Sequence, residues 1–200
     1  MIDVVLIDRK PALLRAWAQT FRGTPVRMMP GDFVAGSVGG AWVSPANSFG
    51  WMDGGLDWPI RLAYEAVGAD ITAVVQAAIR QQAGGELPVG QALVIPTPET
   101  PYTHLIVAPT MRTPRPAFWT LNAYLAFRAI LWTVQQWNAA KAGPAVATVS
   151  CPGLATGVGR MPARRCARQM RAAWDQIADS AQPLPPLGRL TTWEQFLRYR

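Results

Sequence analysis

The stretch SPANSFGWMDGGLDWPI, residues 44–60, follows a short apolar segment that is typical of a buried strand. Asn47 comes where this strand ends, Gly54-Gly55 allows close backbone approach, and Asp57 stands just before a helical segment. Glycine N–H groups ahead of a helix N-terminus form a cradle for an anion, because unpaired donors and the helix dipole both point at the ligand. The stretch therefore predicts an anion-binding loop. Asp57 has an alternative interpretation as an N-cap with Pro59 in the first turn.

Strands and helices alternate on both sides of this loop. The predicted strands are IDVVLID, PVRMM, AWVSPA, QALVIP, THLIVAP and PAVATVS. Helices are predicted after Pro11, in a region after residue 55 that is broken near Gly68, over residues 116–140, and over MPARRCARQMRAAWDQIAD. This order predicts an α/β fold of three layers, α/β/α, with a mixed central sheet. Ligands of such sheets bind beyond the carboxyl ends of the strands.

The length of 200 residues predicts a single domain over residues 1–200. Within it, residues 181–200 comprise a Pro-rich stretch, AQPLPPLG, and a short tail helix that we expect to be docked on the domain. Thr191 and Glu194 have capping-box spacing, which predicts that this helix begins near Thr191.

The composition narrows the functional classes. Nineteen Lys and Arg against twelve Asp and Glu give a net charge of +7, which favours anionic partners. Five arginines cluster near the C-terminus, where apolar residues recur at helical spacing, so a solvated helix face is favoured over a phosphate-binding stripe. Two cysteines and one histidine are too few for a disulfide framework or a closed zinc site. No apolar run is long enough to cross a bilayer, and the charged start predicts a cytoplasmic protein. The clustered arginines are Arg160, Arg164, Arg165, Arg168 and Arg171.

Two further loops follow predicted strands. Pro30-Gly31-Asp32-Phe33 places a carboxylate at a strand end, where an ordinary Asx-type turn is the alternative interpretation. CPGLATGVGRMP, residues 151–162, is a second glycine-containing loop between a strand and a helix. Its Gly157-Val158-Gly159 is a poor dinucleotide fingerprint, because Pro162 takes the third glycine position. Together the three loops predict a ligand with phosphates in the middle and polar groups at both ends.

The order of these loops resembles the macro domain family, which binds ADP-ribose. The resemblance runs from about Val26 to Trp174, and four matches carry it. Gly31-Asp32-Phe33-Val34 resembles the Gly-Asp-Ile-Thr pattern of the family, and Ser44-Pro45-Ala46-Asn47-Ser48 resembles Asn-Ala-Ala-Asn-Ser. Gly54-Gly55-Leu56-Asp57 resembles Gly-Gly-Val-Asp, and Thr156-Gly157-Val158 resembles the second phosphate loop. Ser44 replaces the first asparagine, and Gly159, Arg160 or Met161 replaces the aromatic residue that closes over the distal ribose. Phe49 or Trp51 is a candidate substitute.

The resemblance implies roles for individual residues. Asp32 accepts a hydrogen bond from the adenine amine, and the backbone N–H of Phe33 contacts the neighbouring ring nitrogen. The diphosphate lies between two loops and needs no metal or other cofactor. Asn47, with amide donors and acceptors available, binds hydroxyls of the distal ribose and is, with Asp57, a candidate catalytic residue. Asp57 orients or partly deprotonates the water that attacks the distal ribose. The loops that hold the diphosphate comprise Gly54, Gly55 and Leu56 on one side and Thr156, Gly157, Val158 and Gly159 on the other.

Three functions remain open from the sequence. The first is hydrolysis of an ADP-ribosyl linkage on a macromolecule or of O-acetyl-ADP-ribose, and the second is ADP-ribose recognition without cleavage. The third is a nucleic-acid-binding domain, which the charge and nine tryptophans permit because bases stack on aromatic rings. Most tryptophans fall on predicted helical faces, which favours core positions for them. Cys151 is expected to be a buried thiol, and His104 a structural or exposed residue.

Overall fold

The computed structural model describes residues 2–37, 40–97, 102–178 and 185–199. The first part of the predicted Pro-rich stretch lies outside the described residues. The described chain forms six strands and seven helices. The strands are β1 (Asp3–Asp8), β2 (Arg27–Pro30), β3 (Ala41–Ser44), β4 (Leu93–Pro96), β5 (His104–Val107) and β6 (Thr148–Cys151).

The strands make one sheet in the order β2-β1-β6-β3-β5-β4. All neighbouring pairs are parallel except β4 and β5, which pair antiparallel. The mixed sheet predicted from the sequence is therefore confirmed. The carboxyl ends of the five parallel strands lie along one rim, and the loops that leave this rim form the site described below.

Helices cover both faces of the sheet. They are α1 (Pro11–Thr20), α2 (Phe33–Gly36), α3 (Asp57–Glu65), α4 (Ile71–Ala83), α5 (Asn122–Ala140), α6 (Ala163–Ala178) and α7 (Leu187–Tyr199). Val4 and Leu6 of β1 pack into a core with α1, α5, α6 and α7. Val5 and Ile7 point to the other face, into a core with α2, α3 and α4. Successive strand residues point to opposite faces, so a fully apolar strand is needed where both faces are covered.

The helix predicted over 116–140 begins later, at Asn122. The segment before it is bonded to the sheet rim instead: the Ala117 N–H donates to the Gly159 carbonyl at 2.7 Å, and the Asn122 side chain donates to the Thr110 carbonyl at 2.7 Å. These bonds hold the segment beside the loop after β6, so it cannot continue the helix.

The capping box predicted at Thr191 and Glu194 is wrong, because α7 begins at Leu187. Thr191 lies inside the helix, where its hydroxyl donates to the Leu187 carbonyl at 3.2 Å. The helix contacts the domain through the buried Leu197, and Gln169 of α6 donates to the Leu197 carbonyl at 3.1 Å.

The prediction of a solvated arginine face on α6 is also wrong in part. Arg165 is buried, and it donates to the Phe118 carbonyl at 2.7 Å. Arg168 and Arg171 are half-buried, and Arg171 donates to the Thr20 carbonyl of α1 at 2.6 Å. Helices α1, α5 and α7 pack against α6 over more of its circumference than the apolar pattern predicts, while Arg160 and Arg164 are exposed as expected.

Candidate ligand-binding site

A cavity of about 410 Å³ opens at the rim of the sheet where the parallel strands end. Loops from β1, β2, β3, β5 and β6 line it. Every site residue predicted from the sequence belongs to this lining, although the three predicted loops are far apart in the chain. These residues are Asp32, Phe33, Asn47, Gly54, Gly55, Leu56, Asp57, Thr156, Gly157, Val158 and Gly159.

The two glycine-containing loops meet across the cavity. A Cβ built on Gly55, whose φ is +61°, would lie 3.8 Å from the side chain of Val158. Among the described residues, no protein acceptor takes the backbone N–H groups of residues 53–56 or 156–159. Two loops whose N–H groups have no protein acceptor therefore line one space, and such loops can bind anions.

Two glycines of the second loop have no room for a side chain. A Cβ on Gly153 would lie 2.3 Å from the Leu13 side chain and 2.9 Å from a carboxylate oxygen of Asp8. A Cβ on Gly159 would lie 2.5 Å from the Ala155 carbonyl oxygen. A Cβ on Gly157 would have no atom of another residue within 4 Å, its chain neighbours aside. The loop is thus packed tightly at both ends and free at the middle, where a ligand has access.

Lys10 brings positive charge to the second loop. Its Nζ donates to the Thr156 carbonyl at 2.8 Å, and its backbone N–H donates to the Asp8 carboxylate at 2.8 Å. Arg9 also lines the cavity. Four carboxylates also line the cavity, so the backbone donors and the adjacent Lys10, rather than a net positive charge, are what would hold an anionic ligand.

Asp57 is the first residue of α3, and its side chain is buried in the wall of the cavity. The Ser44 hydroxyl donates to Asp57 Oδ1 at 2.6 Å. The alternative interpretation as an N-cap is wrong, since Leu56 is the N-cap residue and Asp57 makes no capping bond. Ser44, which replaces an asparagine of the family pattern, orients the carboxylate from the end of the neighbouring strand.

Burial raises the pKa of Asp57 from 3.8 to about 7. The hydrogen bond from Ser44 opposes this rise, and the negative charge of the exposed Asp53 adds to it. A carboxylate that titrates near neutral pH can exchange a proton with a bound molecule, and perturbed groups of this kind are concentrated at functional sites.

Asp32 caps α2 and lines the cavity. Its Oδ1 accepts hydrogen bonds from the backbone N–H groups of Val34 at 2.9 Å and Ala35 at 3.0 Å, and its Oδ2 lies 3.2 Å from Arg9 Nη2. Among the described residues, the Phe33 N–H has no protein acceptor, while the Phe33 ring is buried in the core. The Asx-type interpretation and a ligand role are therefore compatible, since a carboxylate has further lone pairs.

Asn47 does not have a free amide. Its Nδ2 donates to the Trp51 carbonyl at 2.8 Å, and its Oδ1 accepts from the N–H groups of Phe49 and Trp51. Because the amide closes the 47–51 turn, Oδ1 already accepts two bonds and the expectation that this acceptor is available is wrong, whereas one of the two Nδ2 hydrogens remains. This turn brings Trp51 to the cavity, where its side chain is 57% exposed. The Phe49 ring instead packs against Arg112, whose guanidinium carbon lies 5.0 Å from the ring centroid.

Sequence reasoning missed the strand β1 end, Asp8 to Lys10, as part of the site. A polar and charged triplet directly after the first buried strand was an available signal, because the carboxyl ends of parallel strands share one rim. Gly153 and Ala155 were also missed. Ala155 has φ +57°, which nothing in the sequence marks.

The two cysteines and the histidine do not line the cavity. Cys151 and Cys166 are buried free thiols, and burial raises the pKa of both. His104 is buried at the start of β5, with a lowered pKa caused by burial. Among the described residues, no cluster of His, Cys, Asp or Glu has the composition of a metal site, and no helix has the length and apolarity of a membrane span.

Comparisons with known proteins identify the family. The macro domain model matches residues 43–170, so the chain belongs to the macro domain family. No curated protein gives a significant match. Among solved structures, the chain is similar to the macrodomain of Mycobacterium tuberculosis DarG, with a TM-score of 0.59 and 20% identity over 76% of this chain and 90% of that one.

Two further solved structures have the same fold. A mutant of the Oceanobacillus iheyensis macrodomain with ADPR has a TM-score of 0.52 and 20% identity, over 84% of this chain and 76% of that chain. Thermosipho africanus DarTG in complex with ADP-ribose has a TM-score of 0.55 and 12% identity, over 96% of this chain and 57% of that chain.

Proposed function

We propose that the protein binds ADP-ribose in the rim cavity and hydrolyses an ADP-ribosyl linkage there. The observation that carries the proposal is the meeting of two loops with unpaired N–H groups beside the buried carboxylate of Asp57, whose pKa burial raises. Membership of the macro domain family supports it, as do the ADP-ribose complexes of two proteins with the same fold.

The diphosphate would lie between residues 54–56 and 156–159. Backbone N–H groups and the nearby cations would balance its charge, and we propose that binding needs no metal. The free buried thiols suit a reducing compartment, which supports a cytoplasmic location.

Asp32 and the Phe33 N–H would bind the adenine. The carboxylate would accept a hydrogen bond from the exocyclic amine, and the N–H would donate to the adjacent ring nitrogen. A base without the amine would leave a partly buried acceptor unpaired, so the same contact would select adenine.

Asp57 would act at the distal ribose. Its ionised form would take a proton from the water that attacks C1″ as the bond to the carrier breaks, and would pass that proton to the departing carrier, which yields free ADP-ribose and the unmodified carrier. With O-acetyl-ADP-ribose the same activated water would attack the acyl carbon instead, and the proton would go to the departing ribose oxygen, which yields ADP-ribose and acetate. Ser44 would hold the carboxylate in position. Asn47 would act mainly by closing the turn that places Trp51 against the ribose, and its remaining Nδ2 hydrogen could contact a hydroxyl.

Turnover assays of wild type and Asp57→Asn test the catalytic half of the proposal. Substrates would include protein-linked, nucleic-acid-linked and acetylated ADP-ribose. We expect wild type to release ADP-ribose and the variant to lose about 10²–10⁴ in kcat. The affinity of the variant for ADP-ribose should be equal or higher, because a negative charge near the diphosphate is removed. Equal turnover in the variant would remove Asp57 from the mechanism.

A non-catalytic ADP-ribose-binding protein is the second candidate. The engagement of the Asn47 amide within its own turn favours it, because the distal ribose then has fewer contacts that could position it for attack. Tight binding by wild type with no turnover of any of the three substrates would support this candidate.

A further inference from the structure

A surface of exposed aromatic rings, with two largely covered arginines packed against them, is formed by residues 118–119, α6 and α7. We call it the aromatic–arginine strip, and it consists of Trp119, Arg165, Arg168, Phe196 and Tyr199. Trp119, Phe196 and Tyr199 are 55%, 45% and 57% exposed. Isolated exposed apolar residues are normal, whereas a contiguous set of large rings marks an interaction site.

The rings and guanidinium groups of the strip contact one another. Arg165 lies over the Trp119 ring at 4.4 Å, and Arg168 lies over the Phe196 ring at 4.7 Å. The centroids of the Trp119 and Tyr199 rings are 5.6 Å apart, and the ring planes are inclined by 35°. The strip connects residues 118–119, α6 and the end of α7 into one surface.

Among the described residues, no carboxylate pairs with either arginine of the strip. Neither forms an ion pair with a carboxylate of the described chain, and buried nitrogens of both have no hydrogen-bond partner. Burial and the positive charge of Arg165 lower the pKa of Arg168. Unpaired cations that are partly removed from water are costly, so an external anion would be stabilising here.

The positive charge of the sequence is concentrated in its C-terminal half, which contains all five residues of the strip. Residues 100–200 contain twelve Lys and Arg but only three Asp and Glu. Residues 1–99 contain seven Lys and Arg and nine Asp and Glu. No Asp or Glu occurs between Glu99 and Asp175. Exposed arginines flank the strip along the chain, and one of them, Arg189, lines a groove on α7 with Phe196 and Tyr199.

The strip is adjacent to the second glycine loop. Ala117, two residues before Trp119, donates its N–H to the Gly159 carbonyl at 2.7 Å, and Gly159 lines the cavity. Two residues of extended chain span at most about 7 Å. The backbone of Trp119 therefore lies within about 7 Å of Ala117, which is bonded to the cavity-lining Gly159.

We propose that the aromatic–arginine strip binds single-stranded nucleic acid. Bases would stack on the exposed rings, and phosphates would be attracted by the half-buried Arg168 and by the exposed Arg164 and Arg189 that flank the strip, a combination typical of single-strand binding. A duplex would fit less well, because its bases are already stacked. This surface goes beyond the proposed ADP-ribose site and would hold a strand next to it.

Fluorescence anisotropy with a labelled oligo-dT of about 16 nucleotides tests the proposal. We expect wild type to bind at about 50 mM salt and to lose affinity steeply as salt rises. Trp119→Ala and Tyr199→Ala should each weaken binding by about 5- to 100-fold through lost stacking. A duplex of the same length should bind more weakly.

Trp58→Ala is the matched control. Trp58 is 43% exposed and has Arg61 over its ring at 4.4 Å, but Arg61 is paired with Glu65 and lies on α3, in the opposite layer. Its removal should leave oligonucleotide affinity unchanged. An equal loss in this variant, a preference for duplex, or no binding by wild type would overturn the proposal. Wild-type self-association that Trp119→Ala abolishes, without oligonucleotide binding, would also overturn it.

Calorimetry with free ADP-ribose separates this proposal from the proposed function. The two strip variants should bind ADP-ribose as wild type does, because neither ring lines the cavity. Binding of ADP-ribose without the oligonucleotide would refute the strip alone. Binding of the oligonucleotide without ADP-ribose would refute the proposed function alone.

Discussion

Replacing Asp57 with asparagine should stabilise the folded protein at neutral and alkaline pH. The carboxylate is buried in the cavity wall, with the Ser44 hydroxyl as its hydrogen-bond donor. An asparagine oxygen can accept the same bond, so the substitution removes the charge with little change in shape. Functional sites often retain groups that destabilise the fold, and their removal then stabilises it.

The size of the effect follows from the pKa of Asp57, which is raised from 3.8 to about 7. Between these pH values the folded state keeps a proton that the unfolded state has released, so the contribution of this group to stability falls as pH rises. A difference of one pKa unit corresponds to about 1.36 kcal/mol. Ionisation of this group should therefore lower the free energy of unfolding by about 4 kcal/mol once the pH is above about 7, and should have no effect below about pH 4.

Urea denaturation of wild type and Asp57→Asn at acidic, neutral and alkaline pH measures the effect. The advantage of the variant should be near zero at about pH 4 and should grow to about 4 kcal/mol at about pH 8. Asp53→Asn is the control, since it removes an exposed carboxylate near the same site and should stabilise the fold far less. An advantage that does not change with pH, or a variant that is less stable than wild type at pH 8, would refute the reasoning.

Three further predictions concern the cavity. Ser44→Ala removes the hydrogen bond that lowers the pKa of Asp57, so the rise of kcat with pH should shift to higher pH, and an unchanged pH profile would contradict this. Gly153→Ala should cost about 1–3 kcal/mol in urea denaturation, since its Cβ overlaps the Leu13 side chain, whereas Gly157→Ala should cost much less because its surroundings are open. Equal costs would show that the loop is not packed as described. Lys10→Ala should weaken ADP-ribose binding in calorimetry, and should do so less as salt rises.

Much of the fold follows from local patterns in the sequence. The apolar run of β1 marks a strand covered on both faces, and the glycine near residue 68 marks the break between α3 and α4. The starts of two helices did not follow, because tertiary contacts decide them. Residues 116–121 are held at the rim by the bond from Ala117 to Gly159, and α7 begins four residues before its apparent cap.

The site could be predicted as a set of residues but not as a set of bonds. Loop order and glycine spacing brought Asp32, Asp57 and Gly157 to one cavity, since the carboxyl ends of parallel strands share a rim. The state of each side chain depends on its neighbours. The pKa of Asp57 depends on burial and on Ser44. The Asn47 amide is bonded to backbone groups of Phe49 and Trp51, two and four residues further along the chain.

The burial of arginines on α6 could not be predicted from the sequence either. Apolar spacing defines one buried stripe of a helix, but α6 packs against α1, α5 and α7. Arg165 is covered because Trp119 and the Phe118 carbonyl, both distant in sequence, lie over it. The strip that follows from this packing has no signature in any single segment.

Calorimetric titration of free ADP-ribose into the wild-type protein tests most directly whether the rim cavity is a nucleotide-sugar site. The geometry predicts saturable binding with one molecule per chain. A folded protein that shows no binding would contradict the assignment of the two glycine loops as a diphosphate cradle.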